Sequence, residues 1–119
     1  MQDKFRPGAA LARTQQRLGG TVLEKSKSVS VGSTSVAQLV EDNPDRVGLI
    51  IINTSAADLY INLDSVASTS FGILLGANGG NLSLTIDEDF TIITRVWGGL
   101  SASGAGNSIS VFEYVRFSY

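Results

Sequence analysis

From Lys25 onward, apolar residues recur at every second position, the period of a strand with one buried face. Val29 and Val31 alternate with Ser28 and Ser30 and predict a first strand. Gly32-Ser33 turns it, and Val36 to Val40 predicts a second. Asn43-Pro44-Asp45 is turn chemistry, since Pro fixes φ and Asn and Asp bond to nearby backbone. It opens the run Arg46 to Asn53, RVGLIIIN, whose three consecutive isoleucines favour a strand over a helix. Val47, Leu49 and Ile51 point one way and Gly48, Ile50 and Ile52 the other. The run therefore predicts a central strand covered on both sides.

After a bend at Thr54 to Ala57, Asp58 to Leu63 is expected to return antiparallel, with Leu59, Ile61 and Leu63 inward and Tyr60 and Asn62 outward. Phe71 to Leu75 predicts a short apolar strand closed by Gly76-Ala77-Asn78-Gly79-Gly80. Leu82, Leu84 and Ile86 alternate with Ser83 and Thr85, Asp87-Glu88-Asp89 makes an acidic turn, and Phe90 to Trp97 reads as the next strand. Gly98 to Asn107 reads as a long flexible hairpin loop. The last strand places Ile109, Val111, Val115 and Phe117 on one face and Phe112, Tyr114 and Arg116 on the other.

About eight closely spaced strands and no helix in the body predict an all-β fold. It is an antiparallel β-sandwich of the jelly-roll kind, with a closed barrel as the alternative. The sandwich domain spans 25–119. Residues 1–24 lack a sustained period and form an extended N-terminal arm, either without order of its own or ordered on a partner. Within it Ala9–Arg17 suits a short helix that Gly19-Gly20 would end.

Composition moves the picture towards assembly. Hydrophobic residues make up 43% and charged ones 17% of the 119, against ~25% charged in ordinary soluble domains. Uncharged surface is easier to bury against other subunits. Residues 1–27 carry six cations against two anions, a balance of +4, whereas residues 28–119 carry three against nine, a balance of −6. A basic arm on an acidic body points to docking on an acidic surface, with Lys4, Arg6, Arg13 and Arg17 as the partner-binding residues. The acidic sheet body lacks basic and aromatic interleaving, which argues against nucleic acid. No apolar run approaches the ~18 residues of a membrane span, and the start does not read as a secretory signal.

Candidate chemistry is sparse. The chain has neither Cys nor His, which removes thiolate sites, the usual general base and the commonest metal ligand. No catalytic, metal or cofactor site is expected. Asp87-Glu88-Asp89, even with Asp64 or Glu41 beside it, lacks the spacing of a calcium loop and reads as a solvated turn. The 76–80 loop has no Lys-Ser/Thr after it and reads as a turn rather than a phosphate cradle. Glu113 interrupts the apolar face of the last strand and needs a partner, because burying a carboxylate alone is costly. Arg46 is the partner expected, fixing strand register, and exchanging the two charges is expected to restore what either single change loses. The alternative leaves Glu113 at a solvated sheet edge. Tyr60, Trp97, Tyr114 and Tyr119 are either surface anchors for subunit contacts or ordinary core.

The phrase NPDRVGLIIINTSAADLYINL, followed by FGILL, a Gly-rich loop, RVWGGL and SISVFEY, resembles small β-rich structural proteins of tailed bacteriophages. In these an N-P-x-R turn opens a strand ending in N-T or N-S, and a V-x-E or V-F-E strand closes the domain. The resemblance covers 43–114 and leaves the arm out. It implies a virion protein assembled in the host bacterial cytoplasm: a capsid cement (decoration) protein that bridges coat subunits, or a head-fibre, tail-fibre or baseplate module for attachment to a receptor or glycan. Arg46 and Glu113 match its charged positions, with a structural role. The partners implied are the major capsid protein or another virion protein and further copies of the chain, as a homotrimer.

Overall fold

The computed structural model of the chain describes residues 21–64, 67–68, 71–104 and 106–117. Eight strands follow in order: β1 (Thr21–Val31), β2 (Ala37–Val40), β3 (Arg46–Asn53), β4 (Leu59–Leu63), β5 (Ile73–Leu75), β6 (Asn81–Thr85), β7 (Trp97–Ser101) and β8 (Asn107–Phe117). A single helical turn, α1 (Ile86–Asp89), follows β6. The pairing rule is simple. β1 pairs with β8, β2 with β7, β3 with β6 and β4 with β5, all antiparallel, as in one long hairpin. Rolling that hairpin brings β3 against β8 and β4 against β7. The result is two four-stranded sheets, β1-β8-β3-β6 and β2-β7-β4-β5, packed face to face in a jelly-roll winding.

The core fills the space between the sheets. Leu49 and Ile51 of β3, Ile109 and Val111 of β8, Val31 of β1 and Leu84 of β6 meet Leu39, Leu59, Ile61, Leu75 and Trp97 from the other sheet. Ile93, from the connection after α1, closes the same cluster.

Four expectations change. β1 begins at Thr21, so residues 21–24 belong to the body, held by their pairing with Tyr114 to Phe117. β4 does not return beside β3: the 54–58 bend carries the chain to the opposite sheet, where β4 pairs with β5 and β7. The second face of β3 is not covered by a layer of the sandwich. Ile50 and Ile52 point outward and are half-buried, with Phe112 and Ser110 beside them on β8.

The fourth change concerns 90–107. Phe90 to Arg95 form turns, and the strand is Trp97–Ser101, leaving only 102–106 as a loop. The glycines there serve close packing rather than flexibility. A Cβ on Gly98 would overlap the Asp64 carbonyl oxygen and lie 2.6 Å from the Val36 side chain, and Gly99 sits against Leu39. Glycine lets these neighbours approach the backbone at little cost in contacts.

The antiparallel pairings sort the connections between the two ends. Thr21, the 41–45 turn, Asp64 and the 86–96 connection lie at the end where β1 begins, here called the arm end. The loops 32–36, 54–58, 76–80 and 102–106 lie at the far end.

Candidate interaction surfaces and the Arg46 lock

Arg46 is fully buried, which an unpaired guanidinium could not sustain. A β-bulge between Arg46 and Gly48 places Arg46 opposite Val115, on the inner side of the sheet. Glu113, opposite Leu49, faces the same way. Arg46 Nε donates to Glu113 Oε2 at 3.0 Å, and the carboxylate side chain is 14% exposed. Nη1 donates to the carbonyls of Ile93 at 2.9 Å and Arg95 at 3.0 Å, and Nη2 donates to the Glu41 carbonyl. One side chain thus ties together β8, the 41–45 turn and the 86–96 connection. The turn itself forms as its sequence requires, with Asn43 Oδ1 accepting from the Asp45 amide at 2.9 Å.

The other end of β3 carries a matching device that the sequence reading passed over. Asn53 is fully buried. Its Nδ2 donates to the carbonyls of Ala57, Leu75 and Gly76, and its Oδ1 accepts from the Ser55 amide and hydroxyl. The bend to the opposite sheet is therefore pinned to the β5–β6 connection. The Asn-Thr-Ser ending of the strand was the available signal, because Asn bonds readily to backbone two residues on.

The aromatic candidates divide. Trp97 is core, 2% exposed, and donates from Nε1 to the Ile92 carbonyl at 3.3 Å. It is not a surface anchor, because it stands opposite Leu63 and Val40 on the inward side of its sheet. Tyr114 is half-buried on the outer face of β8, and Gly48 opposite leaves room for its ring: a Cβ there would lie 3.1 Å from Tyr114 Cδ2. Tyr60 is half-buried on the outer face of the second sheet, in a row with Leu74 and Leu100. Tyr119 and the arm residues Lys4, Arg6, Arg13 and Arg17 lie outside the described residues.

Two features of the surface stand out physically. The strands β2, β4, β5 and β7 contain no charged residue, so the second sheet presents an uncharged outer face. The outer face of the first sheet is apolar along its middle, through Ile50, Ile52, Phe112 and Tyr114. Charge gathers instead at the arm end, where Glu41, Asp42, Asp45, Asp64, Asp87, Glu88 and Asp89 outnumber Arg46, Arg95 and Arg116. Arg95 pairs with Asp64 at 2.9 Å and Arg116 with Asp45 at 3.3 Å, both on the surface. The far-end loops carry only Asp58.

A shallow recess of about 350 Å³ is lined by Val36, Gln38, Asp64 and Val96. Its carboxylate, Asp64, is engaged by Arg95, so it offers no pair of free acids for acid–base work. Among the described residues no group of three acids is placed to hold a metal ion. No described helix is long and apolar enough to cross a membrane.

No family model matches the chain, and no curated protein matches it. Among solved structures, it is similar to a chain described as "Bacillus endospore appendages form a novel family of disulfide-linked pili". The identity is 15% and the TM-score 0.47, over 82% of this chain and 90% of that one. At those values the likeness carries no inference about activity or partners.

Proposed function

We propose that this chain is a structural component of a bacteriophage virion, a capsid cement protein that bridges coat subunits and works as an oligomer, with a trimer as the preferred form. The observation that carries the reading is the placement of charge. Both broad faces of the sandwich are poor in charge, while the carboxylates gather at the end from which the basic segment 1–20 leaves. Uncharged sheet faces lose little on desolvation when they are buried against other protein. A basic tail of 20 residues spans up to roughly 66 Å when extended, enough to reach across a neighbouring subunit. Binding only the assembled shell would stabilise that shell by mass action. No enzymatic role enters this reading.

The attachment-module alternative called for an aromatic-rimmed pocket built from Trp97, Tyr60 and the 98–107 loop. With Trp97 in the core and 98–101 in a strand, that rim is not formed. Immunogold labelling of particles produced with this protein tests the reading. Label at regular positions over the head is the expected result. Label confined to the tail tip would favour the attachment module, and unlabelled particles would overturn both.

A further inference from the structure

Five large apolar side chains are exposed among the described residues, and their placement is uneven. Phe71 (62%), Ile73, Leu74 and Phe90 (69%) lie on the side of the sandwich formed by β5, β6 and α1. Leu23 (42%) lies on the opposite side, on β1. The register shows how Leu23 comes to be exposed. Leu23, Lys25 and Lys27 stand opposite Val115, Glu113 and Val111, all on the inner face of the first sheet. All three are nonetheless exposed, because β2, the strand facing them, has only four residues. The inner face of β1 therefore overhangs as a shelf at the arm end.

The shelf opens into a recess of about 170 Å³ bounded by Glu41, Asp42, Asn43, Arg46 and Glu113. Arg46 and Glu113 neutralise each other there, and Asp42 Oδ1 is taken by the Val96 amide at 2.8 Å. Among the described residues Lys25 and Lys27 have no ion-pair partner, Glu41 included. Across the same sheet, at the same end, α1 presents exposed Asp87 and Glu88 followed at once by Phe90.

We propose that the Asp87-Glu88-Phe90 ridge of one copy of this chain seats on the Leu23-Lys25-Lys27 shelf of the next. Both features lie at the arm end of one sheet, on opposite edges, so neighbours standing side by side bring them to the same height. Each surface offers an apolar anchor beside charge, and the charges are opposite. The basic segment 1–20 is a poor occupant for a lysine shelf, which favours the acidic ridge. The contact joins unlike surfaces, so it closes into a ring or runs on as a filament, according to the rotation between copies. This names the self-contact within the oligomer proposed above and rests on that part of the reading. Testing it on purified protein, with no shell present, separates its failure from failure of shell binding.

Sedimentation velocity of the full chain at about 20 mM and about 500 mM NaCl provides the test. The wild type is expected to self-associate, more strongly at low salt. Lys25→Glu/Lys27→Glu and Asp87→Lys/Glu88→Lys, each alone, are expected to weaken association by ~10-fold or more through like-charge contact. A one-to-one mixture of the two variants is expected to regain it, since each ridge then meets an opposite shelf. Because the chain has no Cys, a mixture of Lys27→Cys and Glu88→Cys copies is expected to form one disulfide-linked heterodimer on oxidation. A monomeric wild type, wild-type association in either charge variant, a mixture that stays monomeric, or absence of the cross-link would each overturn the proposal.

Discussion

At the scale of single residues, two buried polar side chains at the ends of β3 hold the connections in place. Arg46 serves one carboxylate and three carbonyls, so its loss leaves several acceptors without a donor. Arg46→Ala is expected to cost about 3–5 kcal/mol in urea unfolding, the range for breaking a buried pair from one side. Glu113→Gln keeps an acceptor oxygen for Nε and is expected to cost only about 1 kcal/mol. The same geometry revises the expectation for charge exchange. A Glu at 46 cannot donate to the carbonyls of Glu41, Ile93 and Arg95, so the R46E/E113R double variant should stay as unstable as R46E. Recovery to near wild-type stability would show that the ion pair alone matters. At the other end, Asn53→Ala is expected to cost about 2–3 kcal/mol, because buried carbonyls lose their donor.

At the scale of elements, β7 gives the sharpest prediction. Gly98→Ala inserts a Cβ against the Asp64 carbonyl and Val36, and is expected to destabilise the fold by about 1–3 kcal/mol through overpacking. An unchanged melting temperature would contradict that. The same strand shows what was legible in the chain. Period-two alternation located β1, β3, β6 and β8, where apolar and polar residues take turns along a half-buried surface. It failed at Trp97-Gly98-Gly99, because glycine signals a loop when read alone and close packing when a neighbouring chain crosses it. That neighbour, the Asp64 carbonyl, is far away in sequence. The bend after Asn53 misled in a similar way: its length suits a hairpin, and only the long-range bonds from Asn53 to Leu75 and Gly76 direct β4 to the other sheet. Of the candidate residues, the Arg46 and Glu113 side chains were nameable from the apolar face that Glu113 interrupts. The three carbonyl partners of Arg46 depend on the turns at 86–96, which no periodicity marks.

At the scale of the whole molecule, folding and attachment are assigned to different parts of the chain. Removing residues 1–20 should leave the melting temperature within a few degrees of the full chain, since the described sandwich starts at Thr21. Extending the deletion through residue 24 strips four β1–β8 pairs and should lower it clearly. Equal stability of the two truncations would contradict the boundary at Thr21. Four side chains of the core cluster, Leu49, Ile51, Ile109 and Val111, come from the adjacent strands β3 and β8, so a body without the arm retains the packing that makes it cooperative. The arm, by contrast, contributes charge and reach. The most direct test of the account is co-sedimentation of the full chain and the 1–20 deletion with shells assembled from the coat protein of the same genome, and with the unassembled coat protein. The account predicts that the full chain pellets with shells and not with free subunits, and that the deletion loses this binding while staying folded. Equal binding by the deletion, or no binding of the full chain to shells, would contradict it.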